Sequence, residues 1–304
     1  MGIEVGINSW TLSETAFNPA ALGKCEAIMC LGNGYLGLRS ATEERYVGER
    51  RGLFVAGTFN KFDDNEVCEL PNAADILEME IVLNGHVFSL TQGEIKSYER
   101  KIDFSMAELI RDVEWVAPDG NIYKLVFLRV VSLDNLHVIA QRVYITPLSA
   151  DAEITISTGI NGQITNSGSQ HFSEGAKRFY DRRYMQLVQT TTQSGIDFVF
   201  TTDVTLSQEA STHIAMDRRK IFSVYKTNVK KGQKLSIEKI TTIYTSRDKE
   251  CAVMTTEEIQ ALGLKSLKEQ SYFAVIAKEN ATKWHELVWD NIPVTVESSN
   301  PRDQ

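Results

Sequence analysis

Two neighbouring segments decide the fold class: YKLVFLRVVS at residues 123–132 and HVIAQRVYIT at residues 137–146. Both are rich in β-branched and aromatic residues, which favour strands. The stretch between them is too short for the crossover helix that two parallel strands would require. We therefore expect an antiparallel pair of strands.

The same pattern extends outward in both directions. Asn84-Gly85 joins two short apolar runs and is a strong hairpin signal. Pro118-Asp119-Gly120 and Lys230-Lys231-Gly232 are further turns. Additional strands are expected at residues 79–90, 153–160, 196–206, 221–225 and 235–245. Strands this numerous, without helices between them, predict a mainly β protein in which antiparallel sheets pack face to face.

The last fifty residues change to a helical period. Thr255 with Glu258 forms a capping box, Gly263 is expected to end that helix, and Ser266 is expected to open a second one. Pro293 cannot continue this second helix, which is therefore expected over residues 266–290. Its apolar stripe comprises Ala274, Ala277, Ala281, Trp284 and Val288. The predicted organisation is a β domain at 1–250 and a helical linker at 251–304.

Composition excludes several classes of function. The chain has 304 residues, with 32 basic and 40 acidic side chains and a net charge of −8, which argues against a nucleic-acid partner. No run of about 18 apolar residues is present, so no membrane partner is expected. Four scattered cysteines favour reduced thiols and the cytoplasm. They also lack the spacing of a metal site.

Motifs for common chemistries are weak. Gly32, Gly34 and Gly37 match a dinucleotide-binding spacing, but acidic residues follow them where a pyrophosphate would lie, and no βαβ unit follows. A glycine-rich turn is the better interpretation. The adjacent acids Glu43 and Glu44 are expected to be solvated. On residues alone, the chain is a β-rich module with a helical extension.

Residues 25–45, CEAIMCLGNGYLGLRSATEER, resemble the N-terminal signature of the family 65 glycoside hydrolases, which are mostly disaccharide phosphorylases. We call these residues the first block. AGTFN at 56–60 and ELPN at 69–72 are similar to the next block of that family. Further similarity lies in LRVVSLDNLHV, INGQITNSG and YTSRD, and in the tail KWHELVWDNIPVTVES. The resemblance thus covers nearly the whole chain in order.

This resemblance implies an architecture and a reaction. The family architecture is an antiparallel super-sandwich, similar to that of galactose mutarotase, then a helical linker and a catalytic (α/α)6 barrel. The chain is expected to end where that barrel begins, so the missing barrel is its expected partner. The implied reaction of the parent enzyme is inverting phosphorolysis of a disaccharide, with inorganic phosphate as co-substrate and no cofactor. The catalytic acid belongs to the barrel, so this chain alone is expected to be inactive.

The first block is the candidate substrate rim or domain interface. Its candidate residues combine close-approach glycines with hydrogen-bonding groups, and they are Asn33, Tyr35, Arg39, Glu43 and Glu44. The alternative is an ion pair between Arg39 and Glu43 or Glu44 that fixes an interface.

Two other functions stay open. The chain could be a free-standing carbohydrate-binding module, or a mutarotase-like enzyme with His137 or His171 and a carboxylate in one cavity. The tail stripe also predicts exposed apolar surface at Trp284, Trp289 and the first block. A homodimer formed through that surface is therefore a further open expectation.

Overall fold

The computed structural model describes residues 3–5, 10–292 and 298–300. Strands dominate up to Thr245, and helices follow. Eighteen strands are described: β1 (Ile3–Val5), β2 (Thr11–Glu14), β3 (Leu31–Gly32), β4 (Leu36–Leu38), β5 (Leu53–Val55), β6 (Met79–Leu83), β7 (His86–Val87), β8 (Glu94–Asp103), β9 (Glu108–Val116), β10 (Ile122–Val131), β11 (Val138–Pro147), β12 (Ala152–Asn161), β13 (Phe172–Tyr180), β14 (Tyr184–Thr191), β15 (Asp197–Leu206), β16 (Ser211–Asp217), β17 (Lys220–Val229) and β18 (Leu235–Thr245).

The strands form two large antiparallel sheets and one small one. The larger sheet has ten strands in the order β1-β2-β8-β9-β10-β11-β18-β15-β14-β13. A five-stranded sheet, β16-β17-β12-β6-β7, faces it, and β3-β4-β5 form a separate small sheet. β10 and β11 pair antiparallel from Tyr123↔Pro147 to Val131↔Ile139, which confirms the expectation from the opening segments.

The main core lies between the two large sheets. Trp115, Leu125 and Phe127 of the ten-stranded sheet belong to the same buried cluster as Ile81 and Ile156 of the five-stranded sheet. Alternate residues of β9 and β10 are buried, as expected for strands with one inward face. The predicted sandwich of antiparallel sheets is therefore confirmed.

Helices form a third layer on the outer face of the ten-stranded sheet. A short helix α1 (Leu22–Ile28) precedes the small sheet, and the tail contains α2 (Thr256–Glu269) and α3 (Phe273–Trp284). A single π-helical turn, His285–Trp289, follows α3 directly. Leu267, Phe273 and Ile276 from these helices pack on Val138 and Ile240 of the sheet.

The predicted start of α2 is confirmed, but its predicted end is wrong. Thr255 Oγ1 accepts from Glu258 N at 3.3 Å, and Glu258 Oε2 accepts from Thr255 N at 2.7 Å. Gly263 does not end the helix, because it is the point where α2 approaches the sheet. A Cβ there would meet Thr201 Oγ1 at 3.0 Å, and the carbonyl of Gly263 accepts from Thr242 Oγ1.

The second predicted helix also needs correction. Ser266 is not a cap; it is buried inside α2, where its hydroxyl lies 3.0 Å from the Tyr244 hydroxyl. The chain breaks the helix at residues 270–272 and resumes at Phe273, so Ala274 is exposed and Phe273, Ile276 and Asn280 face inward. The end expected near residue 290 agrees with the structure, where the last helical turn ends at Trp289; Pro293 lies outside the described residues.

Candidate functional site

Asn33 fixes the turn of the first block. Gly34 adopts a φ of +87° between β3 and β4, a conformation that favours glycine. The side-chain oxygen of Asn33 accepts from the backbone nitrogens of Tyr35 (3.0 Å) and Leu36 (2.7 Å). Its amide nitrogen donates to the carbonyls of Ser132 (2.6 Å) and Leu136 (2.9 Å). The predicted glycine-rich turn is confirmed, and the whole Asn33 amide is used to hold it on the end of β10.

Tyr35 ties the same turn to the end of β18. Its hydroxyl donates to Asp248 Oδ2 at 2.9 Å, and its ring meets the His137 imidazole edge-on at 4.7 Å. Asp248 also accepts from the backbone nitrogen and hydroxyl of Thr245. Burial, reinforced by the neighbouring Asp248, raises the pKa of Tyr35 above its usual value, so the phenol stays protonated as a donor.

Arg39 does not pair with Glu43 or Glu44, and that alternative is wrong. Its guanidinium donates to the carbonyls of Arg50 (2.8 Å) and Gly23 (2.9 Å), and it lies 3.7 Å from Glu26. Its side chain lies against Gly52, where a Cβ would meet Arg39 Cδ at 2.9 Å. Arg39 therefore joins α1 to the loop before β5.

Glu43 and Glu44 are buried, contrary to the expectation that adjacent acids are solvated. Glu43 Oε2 accepts from Arg111 Nη2 at 2.9 Å, and Glu43 Oε1 accepts from Arg129 Nη2 at 2.5 Å. Glu44 binds Arg111 through both carboxylate oxygens. Burial alone would raise the pKa of Glu43, but Arg129 and Arg111 outweigh it and hold that pKa below its usual range.

These arginines are the important residues that sequence reasoning missed. Arg111 and Arg129 lie on the inward face of β9 and β10, with side chains only 2 % exposed. Their sequence signal is an arginine at a position that the period-two pattern places inward, on the same face as apolar neighbours such as Val113 and Leu125. A charge at such a position needs a partner, and the first block supplies it.

A polar groove of about 630 Å³ lies beside this network. Arg39 is the one residue of the predicted set that lines it, whereas Asn33 and Tyr35 belong to the turn beyond. Three of the segments quoted above meet here, since the lining comprises Arg39, Arg45, Glu49, Arg50, Arg51, Phe54, Glu69, Leu70, Asn72 and residues 163–167.

Internal hydrogen bonds hold the groove in shape. Asn72 accepts from Leu53 N at 3.0 Å and donates to the carbonyl of Arg51 at 2.9 Å. Asn166 Oδ1 accepts from Asn72 N, and its amide donates to the carbonyl of Leu70. The groove is therefore a preformed polar surface on which a hydroxylated ligand or another protein surface could form hydrogen bonds.

A second groove, of about 480 Å³, reaches the other side of the acidic pair. Glu43 and Glu44 line it together with Tyr46, Glu78 and Glu80. The Tyr46 hydroxyl donates to Glu44 Oε1 at 2.8 Å and accepts from Leu90 N at 2.8 Å. Arg39 therefore lines the first groove, Glu43 and Glu44 line the second, and Arg45 lines both.

The tail forms an aromatic surface with the N-terminal part of the chain. Trp289 stacks on Trp284 at 5.6 Å and meets Trp10 edge-on at 5.1 Å. Trp10 is 50 % exposed and Leu287 is 55 % exposed. A cavity of about 150 Å³ opens beside the two tail tryptophans, and Cys30, Leu31 and Gly32 also line it. We call these three tryptophans and this cavity the tryptophan surface.

The predicted exposure of apolar surface is only partly met. Trp284 and Trp289 are each half-buried. Leu31, Leu36 and Leu38 of the first block are buried, because they pack in the main core. Of the places that the prediction named, the two tail tryptophans therefore carry the partly exposed apolar surface.

Both histidines named for a mutarotase-like site are engaged by the protein. His137 Nδ1 lies 2.8 Å from the carbonyl of Ile243, and its Nε2 lies 3.0 Å from Glu250 Oε1. His171 Nδ1 lies 3.0 Å from the Asn60 amide, and its Nε2 lies 3.0 Å from Glu69 Oε1. Each imidazole thus has a partner at both nitrogens.

The described part of the chain lacks two further kinds of feature. It contains no group of three or more His, Cys, Asp or Glu side chains placed to hold a metal ion. None of its helices has the length and apolar character needed to cross a membrane.

Comparison with known proteins gives a consistent result. Residues 12–287 match the sequence profile described as "Glycosyl hydrolase family 65, N-terminal domain". The chain is 41 % identical over 297 residues to a kojibiose phosphorylase of Halothermothrix orenii, covering 95 % of this chain and 38 % of that protein. It is 33 % identical over 296 residues to a kojibiose phosphorylase of Escherichia coli, covering 97 % and 38 %.

More distant matches agree. An alpha,alpha-trehalose phosphorylase of Thermoanaerobacter brockii is 26 % identical over 326 residues, covering 97 % of this chain and 41 % of that protein. A solved structure named "Putative kojibiose phosphorylase from human microbiome" superposes with a TM-score of 0.82 at 16 % identity, covering 91 % of this chain and 38 % of that one. This structural likeness shows the fold. The chain spans about two fifths of the length of these relatives.

Proposed function

This chain belongs to glycosyl hydrolase family 65, whose N-terminal domain it matches, and from that premise we propose that it is the non-catalytic β domain of a disaccharide phosphorylase. The proposed reaction of the whole enzyme is inverting phosphorolysis of an α-glucosidic disaccharide to β-glucose 1-phosphate and a sugar. Inorganic phosphate is its co-substrate. The observation that carries the proposal is the coverage of 95 % of this chain but 38 % of a kojibiose phosphorylase.

The state of the first-block carboxylates supports a non-catalytic role. Inverting cleavage of a glycosidic bond needs a carboxylic acid that is protonated near neutral pH. Glu43 has a lowered pKa and both of its oxygens are bound by arginine. Glu44 is likewise held by Arg111 through both oxygens. Carboxylates whose oxygens are all bound by arginine suit a structural role.

We propose that the catalytic part of the enzyme packs on two surfaces of this chain. The tryptophan surface is half-exposed and apolar, which is typical of a surface covered by another domain. The polar groove containing Arg39 is the second surface, and it supplies hydrogen-bonding groups. In this proposal residues 1–250 are the β domain, residues 251–304 lead to the catalytic part, and the first-block residues hold the interface in shape.

Two assays test the proposal. The purified chain is incubated with phosphate and either kojibiose, trehalose or maltose, and glucose 1-phosphate is measured; we expect no release. A chimera in which this chain replaces the matching part of the Halothermothrix orenii kojibiose phosphorylase is expected to release glucose 1-phosphate from kojibiose. Release by the chain alone would overturn the proposal.

A free-standing carbohydrate-binding module is the alternative function. The polar groove is the observation in its favour, since polar side chains converge on a space of about 630 Å³. Calorimetric titration of this chain with maltose, trehalose and kojibiose separates the two functions. Binding tighter than about 1 mM supports the module, and no detectable binding supports the domain.

We also propose a cytoplasmic location. The structure shows all four cysteines, Cys25, Cys30, Cys68 and Cys251, as free thiols. Free thiols are typical of proteins in a reducing compartment. Fractionation of cells that express the tagged protein tests this location.

A further inference from the structure

Three arginines on adjacent strands converge in the core of the sandwich. Arg100 of β8 and Arg111 of β9 are directly opposite each other. Arg129 of β10 lies opposite Leu109, two residues along β9 from Arg111. All three side chains are 2 % exposed. Like charges on neighbouring strands repel one another, so this arrangement requires negative charge nearby.

Three carboxylates supply that charge, one for each arginine. Glu43 bridges Arg111 and Arg129, Glu44 binds Arg111, and Glu14 Oε2 lies 3.2 Å from Arg100 Nε. Arg111 is thereby well provided with acceptors, and its guanidinium also lies 4.0 Å from the centre of the Phe127 ring.

Some guanidinium nitrogens of Arg100 and Arg129 lack a hydrogen-bond acceptor. In Arg100, the nitrogen Nη2 is buried and has no hydrogen-bond acceptor among the residues that the structure describes. The same is true of Nε and Nη1 in Arg129. Burial lowers the pKa of Arg129 below its usual value even though Glu43 acts in the opposite direction. Buried guanidinium donors without an acceptor are rare in folded proteins and call for an occupant that the protein itself does not supply.

A small cavity lies between these side chains. Its volume is about 10 Å³, and Arg100, Arg111 and Arg129 line it together with Leu109, Phe127 and the loop from Ala41 to Glu43. This volume suits one single-atom or water-sized occupant. It excludes a sugar and a tetrahedral oxyanion such as phosphate.

We propose that this cavity is a binding site for a monovalent halide ion, with chloride as the ordinary occupant. A halide accepts several N–H donors at once and donates none, which suits a cavity lined by two arginines that carry unpaired donors. A water molecule fits less well, because it must also place its own two protons. Both oxygens of Glu43, the carboxylate in the wall, are already bound by Arg111 and Arg129, so its charge is offset.

The proposed halide would lock the first block onto the ten-stranded sheet. Arg129 donates to the carbonyl of Ala41 at 3.0 Å, and Arg100 donates to the carbonyl of Ser40 at 3.2 Å. An anion held by the same two arginines would hold their side chains over that loop. The cavity shares Glu43 with the second groove and no residue with the first. The proposal does not depend on the proposed function.

Crystals grown without halide and soaked in sodium bromide test the site directly. We expect an anomalous peak of bromide between Arg100 and Arg129. Density for a water molecule, with no anomalous signal in the cavity, would overturn the proposal. This experiment uses the unmodified chain, so it does not depend on whether a variant folds.

Thermal unfolding gives an independent test in solution. Sodium chloride is compared with sodium gluconate and sodium sulfate at equal ionic strength. We expect a saturable rise of the melting temperature with chloride and bromide that gluconate and sulfate do not reproduce, because bound ligand stabilises the folded state. An equal response to all the salts contradicts a specific halide site.

Two matched variants locate the effect. Arg129→Lys keeps the charge but removes the guanidinium donors, and we expect it to abolish the halide-dependent rise. Arg142→Lys is the control, since Arg142 pairs with Glu238 away from the cavity and should keep the rise. Retention of the full rise in Arg129→Lys would contradict the proposal.

Discussion

Arg111 and Glu44 form a two-pronged ion pair in the core, with Nη1–Oε1 at 2.5 Å and Nη2–Oε2 at 2.6 Å. The two residues are 67 positions apart in the sequence. Their pairing fastens the first block to the centre of the ten-stranded sheet, because neither charge can be buried without the other. The segment that carries the family resemblance is therefore also the segment that the core charges hold in place.

We expect Glu44→Gln to destabilise the chain by about 3–5 kcal/mol, the usual cost of leaving one member of a buried pair uncompensated. Urea unfolding followed by circular dichroism measures the change. Asp151→Asn is the control, because Asp151 pairs with Lys230 at the exposed surface and should leave the urea midpoint unchanged. Equal midpoints for Glu44→Gln and the parent chain would show that the ion pair has no net effect.

The buried side chain of Lys239 should make the stability of the chain depend on pH. It is fully buried, and its ammonium donates to Thr158 Oγ1 (2.9 Å) and the carbonyl of Gly159 (2.7 Å). Burial lowers its pKa to about 7. Between pH 7 and the ordinary lysine pKa the unfolded chain binds more protons than the folded chain, so stability rises with pH in this window.

The Lys239→Met variant isolates this effect. We expect the stability of the parent chain, relative to the variant, to rise from pH 7 to pH 10 by at most about 1.4 kcal/mol per pH unit. Lys278→Met is the control, since Lys278 is exposed on α3 and its side chain stays solvated when the chain folds. A relative stability that stays flat with pH would contradict the lowered pKa.

Glu108 predicts the opposite trend at lower pH. Burial, with the charge of Asp103 next to it, raises the pKa of Glu108 to about 7. The folded chain then binds more protons than the unfolded chain between pH 4.5 and 7, so this group lowers stability as pH rises through that window. Glu108→Gln should remove this loss, and unfolding midpoints at pH 5 and pH 7 measure it. An unchanged pH dependence of stability in the variant would contradict the raised pKa of Glu108.

Gly159 is required by the close approach of two strands. A Cβ there would lie 2.1 Å from the carbonyl oxygen of Ile221 on β17. Gly159→Ala is therefore expected to destabilise the chain by about 3 kcal/mol or more, because backbone must move. Gly37→Ala is the matched control: it also lies in a strand, and nothing stands within 4 Å of its Cβ position. Similar unfolding midpoints for the two variants would contradict this explanation.

Because Trp289 is only half-buried, we expect the isolated chain to self-associate through the tryptophan surface. We expect Trp289→Glu to keep the β circular dichroism and to sediment as a smaller species than the parent chain, because it places a charge on an apolar contact. Tyr272→Glu is the control, since Tyr272 is 59 % exposed at the other end of α3. A parent chain that is already monomeric at high concentration would contradict the prediction.

Much of the fold could be predicted from local patterns. The strand at residues 235–245 was expected with the bounds that β18 has, and the hairpin at Asn84-Gly85 and the Thr255 cap are also present. Each depends on residues that are close in sequence. β8, β13 and β16 were missed, because their exposed faces carry charged and polar residues that hide the apolar alternation. β9 and β14 were not among the expected strands either.

The candidate site was predictable only in part. The first block could be located from the sequence. In the structure Arg39 lines a groove, whereas Asn33 and Tyr35 hold the turn between β3 and β4. Local rules suggested that Glu43 and Glu44 were solvated and that Gly263 ended a helix. Both expectations were wrong, because contacts with distant parts of the chain outweighed the local rules. Arg111 and Arg129 pair with the acids, and Gly263 lets α2 pack closely on the sheet.

The sequence by itself determined the antiparallel β architecture, the helical tail and the family, because periodicity, turns and motifs are written in consecutive residues. Only the tertiary structure decided which charges meet. Glu43 and Arg129 are 86 positions apart, yet their atoms lie 2.5 Å from each other. Coulomb attraction depends on separation in space and on the exclusion of water, and the spacing of residues along the chain fixes neither.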